Sequence, residues 1–356
     1  MYQIVLCFLT SFFITYAAIP SIIKIAKVKM LVDEPGGRRS HILNIPTLGG
    51  IAIFAGVIFS IILWTPFEHF GKLQYILCSF IIIFLIGAKD DILPLTPYKK
   101  MLGQIFACGL LVFLSNIRIT SFYGIFFIDE IPYWLSILLS FFTLLVIINA
   151  FNFIDGINGL AAGLGILISA TFGSWFYLTD QLVLAILSFA LVGALSAFLK
   201  YNVTPAKIFM GDTGALLIGT ICGIMTIQFI ELHKNPAIPE FQMESGPSVA
   251  IGILFIPLYD MLRVFVLRTI KAQSPFHADR THIHHKMIDA GLTHLQASCI
   301  LVGANLLVIV GVIQFRVIGN FYLLLSLTTL SLILTLILWL LPKVKKPNVN
   351  DSIAAE

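Results

Sequence analysis

Residues 182–199 read LVLAILSFALVGALSAFL, a stretch of eighteen residues without one charged side chain. A helix of about 20 apolar residues crosses the hydrocarbon core of a bilayer, and similar runs recur along the whole chain. The predicted spans are residues 3–23, 49–64, 74–88, 101–114, 133–148, 159–177, 182–199, 214–230, 249–267, 295–314 and 321–341. The sequence therefore predicts an all-α polytopic integral membrane protein with about eleven transmembrane helices, forming one membrane-embedded domain over residues 1–356.

The composition excludes a water-soluble globule. Of 356 residues, 58% are hydrophobic and 11% are charged, whereas an ordinary soluble domain has about 45–50% and about 25%. The mean hydropathy of +0.98 comes from runs spread along the chain, which also argues against a soluble domain with one anchor or a cleaved signal peptide. The five cysteines lie singly in apolar runs, so we expect no disulfide framework and no metal or redox role for them.

Lysine and arginine predict the orientation, because the cytoplasmic loops of membrane proteins carry an excess of both residues. Four of the 22 lie in loops on one side of the predicted membrane: Lys72, Arg118, Lys234 and Arg316. The other 18 lie in the alternate loops and in the C-terminal tail. We therefore expect the N-terminus outside and the C-terminus in the cytoplasm.

Two smaller features stand out beside the spans. Asp260 and Arg263, near the cytoplasmic end of the ninth span, share a helical face and are predicted to pair. Charges near a helix end also commonly snorkel to the membrane surface, so a structural and a functional interpretation both stay open. Residues 116–131 alternate apolar side chains around Gly124, which predicts a small hairpin.

Adjacent carboxylates end the third span, at Asp90 and Asp91. Two carboxylates side by side repel each other, and a divalent cation or a cationic neighbour such as Lys100 would relieve the repulsion. The alternative interpretation is a solvated, charged helix cap.

Residues 149–160 read NAFNFIDGINGL and interrupt two uncharged helical runs. The spacing of three places the side chains of Asn152, Asp155 and Asn158 on one face of a helix. Since Asn and Asp are costly beside lipid, such a row indicates a cavity lining.

Residues 207–214 read KIFMGDTG and lead into the eighth span. Asp212 stands at the predicted start of that helix, where an N-cap is the simpler interpretation. The positive end of the helix dipole would also favour an anionic ligand there. Phe209 is either a stacking platform or a packed side chain.

A basic loop follows the ninth span, and its residues 275–286 read PFHADRTHIHHK. His282, His284 and His285 with Arg280 form a cationic or proton-exchanging patch that suits phosphate. Zinc is the alternative, but the segment has no cysteine, and its cationic neighbours would repel a metal ion.

A glycine-flanked stretch, GGRRSHILNIPTLGG at residues 36–50, places Arg39 and His41 before the second span. The five clusters thus combine oxygen ligands, phosphate-seeking cations and glycine turns on one predicted membrane face. This combination predicts a site for a metal-bound pyrophosphate at the cytoplasmic surface.

Four of these segments resemble the signatures of one family, in the same order along the chain. They are Asp90-Asp91, NFIDGING at 152–159, FMGDTG at 209–214 and HIHH at 282–285. The family is the polyprenyl-phosphate N-acetylhexosamine-1-phosphate transferases (glycosyltransferase family 4), which includes bacterial phospho-MurNAc-pentapeptide translocase. The DRTHIHH form at 279–285 resembles the GlcNAc-1-phosphate branch more than the translocase.

The resemblance implies a bacterial cytoplasmic-membrane enzyme whose site faces the cytoplasm. In the implied reaction, undecaprenyl phosphate attacks the β-phosphorus of a UDP-N-acetylhexosamine, most simply UDP-GlcNAc. UMP is released, and the polyprenyl-diphospho-sugar that remains begins cell-envelope polysaccharide synthesis, such as that of lipopolysaccharide O-antigen. Mg²⁺ is the implied cofactor, with Mn²⁺ as a substitute.

The resemblance also implies roles for individual residues. Asp91 and Asp212 would hold the metal, Asp90 would take the proton from the lipid phosphate or help to hold that phosphate, and Phe209 would stack on uracil. The implied catalytic residues are Asp90, Asp91, Asp155, His282, His284 and His285. The implied nucleotide and substrate ligands are Asn152, Asn158, Phe209, Arg280, Lys100, Arg39 and His41. The family usually has Asp where this chain has Asn158, which removes a charge and adds a hydrogen-bond donor.

Two groups of alternatives stay open. Within the same family, the transferred group could be phospho-MurNAc-pentapeptide or a modified hexosamine such as QuiNAc or FucNAc. Outside it, a transporter or flippase predicts ionisable groups near the bilayer midplane and symmetric halves, whereas the acidic residues here lie mainly at cytoplasmic ends. The expected partners are the UDP-sugar, undecaprenyl phosphate, membrane lipids and a second copy of the chain; nucleic acid is not expected.

Overall fold

The computed structural model describes residues 2–29, 31, 45–125, 128–233, 241, 243–272 and 281–340. Thirteen α-helices make up most of this part of the chain. They are α1 (Tyr2–Val28), α2 (Gly49–Trp64), α3 (Leu73–Ile92), α4 (Pro97–Gly109), α5 (Tyr133–Ile154), α6 (Leu160–Leu178), α7 (Leu182–Asn202), α8 (Gly211–Leu232), α9 (Gly246–Ile253), α10 (Phe255–Ile270), α11 (Ile283–Asp289), α12 (His294–Gln314) and α13 (Asn320–Leu340). Helix α4 continues into a π-helical turn, Leu110–Leu114.

A helix stands at the position of each predicted span, so the all-helical, polytopic architecture is confirmed. Within the described ranges, seven helices are long and apolar enough to cross a membrane, and the bent pair of α9 and α10 would make eight. The seven are α1, α5, α6, α7, α8, α12 and α13. The count of eleven spans and the orientation of the termini stay predictions.

The predicted ninth span differs from one continuous helix, because the chain bends by 81° between α9 and α10. A bend inside an apolar region frees backbone groups that lipid cannot satisfy. The side chain of Asn305, fully buried on α12, satisfies two of them. Its Oδ1 accepts a hydrogen bond from Ile256 N at 2.9 Å, and its Nδ2 donates to Ile253 O at 3.0 Å.

Helix α8 lies at the centre of the bundle and packs against α2, α3, α5 and α6. Small residues permit this close packing, as is usual between membrane helices. A Cβ added to Gly87 of α3 would lie 2.5 Å from the Cα of Thr213 on α8, so only glycine fits there. This contact brings the C-terminal turn of α3, which carries Asp90 and Asp91, to the first turn of α8.

The opposite end of α8 meets the segment 116–131, and the predicted hairpin is confirmed there. Ser121 and Glu130 form an antiparallel bridge, and Phe122 N donates to Asp129 O at 2.8 Å. Glu231, in the last turn of α8, fastens this hairpin to the bundle. Its Oε1 accepts from Thr120 N and Tyr123 Oη, and its Oε2 accepts from Thr120 Oγ1, each at 2.8 Å. We call this side of the molecule the hairpin end.

Candidate active site

The side chains of four helices meet at the other end of α8, around a single lysine. Lys100 Nζ, from α4, lies 3.1 Å from Asp90 Oδ2 and 2.6 Å from Asp212 Oδ2. It also donates to Asn152 Oδ1 at 3.3 Å, and Asn152 Nδ2 donates to Asp212 Oδ1. Together with Asp91 and Asp155, these residues form what we call the carboxylate cluster. The sequence placed them in separate segments, and the structure brings them together.

Asp91 caps helix α8 from a neighbouring helix. Its Oδ1 accepts a hydrogen bond from Asp212 N at 2.7 Å, and its Oδ2 accepts from Thr213 N at 3.0 Å and Thr213 Oγ1 at 2.5 Å. Free N–H groups at a helix start need such acceptors, and a negative charge there is favoured by the helix dipole. The alternative that Asp212 caps its own helix is wrong, since α8 begins after Met210 without a side-chain cap. The side chain of Asp212 therefore accepts hydrogen bonds from Lys100 and Asn152 instead.

Asp90 is held in place by two contacts. Its Oδ1 accepts a hydrogen bond from Leu95 N at 2.5 Å, and its Oδ2 pairs with Lys100. The first contact closes the turn between α3 and α4, so the local chain conformation itself orients the carboxylate. The side chain is only 11% exposed, which makes the charge of Lys100 important for keeping Asp90 ionised.

Asp155 directly follows α5, at the turn into α6. Loss of solvation, together with the negative charges of Asp212 and Asp91, raises the pKa of Asp155 to about 7. The cluster has four carboxylates and one ammonium group, that of Lys100, which pairs with Asp90 and Asp212. An excess of negative charge at a partly buried site is costly unless a cation compensates it.

The three histidines of the HIHH segment form a ring cluster beside this turn. The ring centroids of His284 and His285 are 4.3 Å apart, and those of His282 and His284 are 5.6 Å apart. A Cβ added to Gly156 would lie 2.0 Å from Nε2 of His284, so glycine is required where the histidine packs against the turn after Asp155. The structure therefore brings the histidines next to the carboxylate cluster, as predicted.

His284 narrows the prediction of a cationic or proton-exchanging patch. Burial, followed by the charge of neighbouring His285, lowers the pKa of His284 to about 3. The side chain is therefore neutral near pH 7. Its Nδ1 is buried without a hydrogen-bond partner among the described residues, so it has a free hydrogen-bonding atom but no charge to offer a ligand.

Asp260 and Arg263 form the predicted pair, with Arg263 Nη2 3.3 Å from Asp260 Oδ1. The sequence did not show that Asp260 also binds the histidine segment: its Oδ2 lies 2.7 Å from His282 Nδ1, and its Oδ1 accepts from Ile283 N at 2.8 Å. The only sequence signal was a pair of charges in an apolar helix. The partner lies 22 residues further along the chain, beyond the reach of helical spacing.

Asn158 lies deeper, at the start of α6. Its Nδ2 donates to Thr204 Oγ1 at 3.2 Å, and its backbone oxygen accepts from Ser298 Oγ at 2.8 Å. In the described part of the chain its buried Oδ1 has no partner. Sequence reasoning missed Asn202, which links this turn to the segment before α8, since its Oδ1 accepts from Gly159 N at 2.7 Å and its Nδ2 donates to Ile208 O at 2.9 Å.

Phe209 belongs to the segment that precedes α8, and its ring is partly buried. The backbone of this segment is fixed to the start of α2: Phe209 N donates to Pro46 O at 2.8 Å, and Gly49 N donates to Phe209 O at 3.0 Å. Arg39, His41 and Arg280 lie outside the described residues, so their roles stay predictions. Across the described ranges, no group of three or more His, Cys, Asp or Glu side chains is arranged to hold a metal ion.

Comparison with known proteins places this architecture in a family. The family model described as glycosyl transferase family 4 matches residues 73–230. The undecaprenyl-phosphate alpha-N-acetylglucosaminyl 1-phosphate transferase of Escherichia coli O157:H7 is 32% identical over 298 residues, which cover 82% of this chain and 78% of the relative.

Two further relatives extend the comparison to other bacteria. The probable undecaprenyl-phosphate N-acetylglucosaminyl 1-phosphate transferase of Bacillus subtilis (strain 168) is 30% identical, over 83% of this chain and 80% of the relative. The decaprenyl-phosphate N-acetylglucosaminephosphotransferase of Mycobacterium tuberculosis (strain ATCC 25618 / H37Rv) is 29% identical, over 84% of this chain and 79% of the relative. The matched family region contains the whole carboxylate cluster. The chain therefore belongs to glycosyl transferase family 4.

Proposed function

We propose that the protein transfers GlcNAc-1-phosphate from UDP-GlcNAc to undecaprenyl phosphate and releases UMP. The observation that carries this proposal is the convergence of Asp90, Asp91, Asp155 and Asp212 at one end of the helix bundle, where Lys100 pairs with Asp90 and Asp212. The names of the relatives supply the sugar phosphate and the polyprenyl acceptor. In this reaction one pyrophosphate forms as another breaks, so the protein must chiefly align two anions and reduce their repulsion.

The carboxylate cluster fits a magnesium ion bound jointly with substrate. Mg²⁺ usually takes one or two protein carboxylates and completes its coordination with water and phosphate oxygens, so it needs no preformed cage. Asp212 would hold the ion, because its carboxylate is 29% exposed. Asp91, whose oxygens bind the start of α8, would fix the position of Asp212. When bound, the ion supplies positive charge against the diphosphate of the donor.

The residues around the ion have separate tasks in this proposal. An oxygen of the acceptor phosphate forms a bond to the β-phosphorus of the donor, and the bond from that phosphorus to the oxygen of UMP breaks. Asp90 takes the proton of an acceptor phosphate that arrives protonated, and Lys100 neutralises both Asp90 and the incoming phosphate. Mutual placement of two reacting groups is itself a large part of such catalysis.

Asn158 and Phe209 would bind the nucleotide. The buried Oδ1 of Asn158, unpaired within the described structure, can accept an N–H of the base, which the Asp usual in the family would also do. Phe209 would stack on the base, and His284 would offer Nδ1 to the donor. The excess of Lys and Arg in alternate loops supports a cytoplasmic location for the site in the bacterial inner membrane.

The test is an assay of lipid-linked product. Purified protein in detergent receives undecaprenyl phosphate and radiolabelled UDP-GlcNAc, with Mg²⁺ or with a chelator, and label in the organic phase is measured. We expect magnesium-dependent transfer that Asp212→Asn abolishes, with Asp129→Asn at the hairpin end as the matched control. If label enters the organic phase from UDP-MurNAc-pentapeptide, UDP-QuiNAc or UDP-FucNAc and not from UDP-GlcNAc, the proposed donor sugar is wrong. No product from any of the four donors would refute the proposal.

A further inference from the structure

The segment that leads into the histidines is held by one buried pair of charges on α10. Asp260 is 1% exposed and Arg263 is 7% exposed. Arg263 Nη2 donates to the backbone oxygen of Thr281, while Asp260 accepts from Ile283 N at 2.8 Å and contacts Nδ1 of His282 at 2.7 Å. Three consecutive residues, 281–283, are therefore fixed by two side chains from a different helix.

A buried carboxylate is a costly way to fasten a loop. Removing the charge of Asp260 from water carries a penalty, which the contacts with Arg263 at 3.3 Å, His282 at 2.7 Å and Ile283 N at 2.8 Å offset together. The carboxylate of Glu231, which also fastens a loop, accepts from uncharged groups only, whereas Asp260 faces an imidazole, a group that can itself carry a charge. The charge of Asp260 can therefore act on both the tautomer and the charge of His282.

The contact with Asp260 determines which nitrogen of His282 is available. A ring nitrogen that faces a carboxylate at 2.7 Å carries the hydrogen, so Nδ1 is the donor and Nε2 remains for another partner. The ring also lies near the carboxylate cluster, because its centroid is 5.7 Å from that of Phe153, the neighbour of Asn152 in the chain. It stacks on His284 with an interplanar angle of 11°.

We propose that Asp260 is a positioning residue for the transfer reaction. It holds His282 with Nδ1–H directed to α10 and presents Nε2 to the diphosphate of the donor. It also stabilises a positive charge on the imidazole when Nε2 donates to a phosphate oxygen. This inference rests on the proposed function for the identity of the ligand, but the hydrogen bond itself does not depend on that function.

The first experiment therefore tests the hydrogen bond without any substrate. The protein is labelled with ¹⁵N-histidine, and the resonance missing from His282→Gln identifies His282. We expect Nδ1 to be protonated in the wild type and its N–H signal to decrease in Asp260→Asn, where an amide replaces the charged acceptor. An unprotonated Nδ1 in the wild type would overturn the inference, whichever substrate the enzyme uses.

The second experiment is a double-mutant cycle in the transfer assay. Removing a residue that orients a ligand typically costs about 10- to 100-fold, and we expect a fall of that size in kcat/KM for Asp260→Asn. If Asp260 acts through His282, the double variant Asp260→Asn/His282→Gln will be no slower than His282→Gln alone. Glu231→Gln, a partly buried carboxylate with three hydrogen bonds at the hairpin end, is the control for a merely structural loss.

The outcomes separate this inference from the proposed function. An active wild type with additive effects of the two substitutions would refute a positioning role for Asp260. Wild-type protein that makes no lipid-linked sugar would refute the proposed function, and the ¹⁵N measurement would then decide alone whether Asp260 fixes His282.

Discussion

Helix α8 carries one carboxylate at each end, and the two have opposite surroundings. Asp212 in the first turn shares Lys100 with Asp90 and lies near the negative charges of Asp91 and Asp155. Glu231 in the last turn accepts three hydrogen bonds at 2.8 Å, all from uncharged groups of the hairpin. One end thus concentrates negative charge, and the other satisfies a single charge with neutral donors.

The difference separates a structural carboxylate from a functional one. Uncharged donors can satisfy both oxygens of a carboxylate and need no further partner. A group of carboxylates that shares one ammonium is stable only at a cost, and such costs are typical of sites that bind a charged ligand. The four predictions that follow test this contrast, in order of decreasing effect.

The largest effect is expected in the carboxylate cluster, at the first turn of α8. Asp212→Asn keeps the shape of the side chain but removes the charge that faces Lys100 and the proposed cation. We expect the initial rate of transfer to fall by about 100- to 1,000-fold, the size found when one electrostatic group of an active site is removed. The melting temperature should not fall, because repulsion within the cluster decreases. A rate within threefold of the wild type would show that Asp212 is not part of the reactive site.

Asp91→Asn tests whether a residue of the cluster also supports the fold. The amide has one acceptor oxygen where the carboxylate used two for the first turn of α8. Loss of a helix cap costs about 1 kcal/mol, so we expect a lower denaturation midpoint together with reduced activity. Reduced activity at an unchanged midpoint would assign Asp91 to the chemistry alone.

The carboxylate cluster should make stability depend on pH. The pKa of Asp155 is raised from its ordinary value of 3.8 to about 7 in the folded protein. Its contribution to stability is therefore fully present below about pH 4 and is lost as the pH rises through about 7. We expect the melting temperature in magnesium-free buffer to fall over this range more steeply in the wild type than in Asp155→Asn. Parallel curves would contradict the raised pKa.

The smallest effect is expected at the hairpin end. Glu231→Gln retains an acceptor for Thr120 or Tyr123 but cannot satisfy all three donors. We expect a loss of about 1 kcal/mol in the free energy of unfolding, the usual size for one hydrogen bond, and a transfer rate within twofold of the wild type. Transfer rates and denaturation midpoints, measured on the same preparation, check the predicted activity and the predicted loss of stability. A large loss of activity would mean that the two ends of α8 are coupled.

Much of the architecture could be predicted because long apolar runs leave the backbone few options in lipid. The helices of the apolar runs and the hairpin at 116–131 followed from spacing, and the alternation of loops predicted one membrane face for the four aspartates, whose contacts only the structure shows. The capping of α8 by Asp91 and the hydrogen bond between Asp260 and His282 did not. Each joins residues far apart in the chain, at 121 and 22 positions, so only tertiary packing reveals it.

The bend between α9 and α10 had one signal in the sequence, Pro257, which has no N–H to donate to Ile253 O. The group that stabilises the bend could not be predicted, since it lies on another helix. The side chain of Asn305 forms hydrogen bonds to the backbone on both sides of the bend. One continuous helix over residues 246–270 would leave this buried side-chain amide without partners. The two hydrogen bonds of Asn305 therefore stabilise the 81° bend against straightening. Through it, a residue of α12 sets the direction of α10 and with it the place from which Asp260 reaches the histidines.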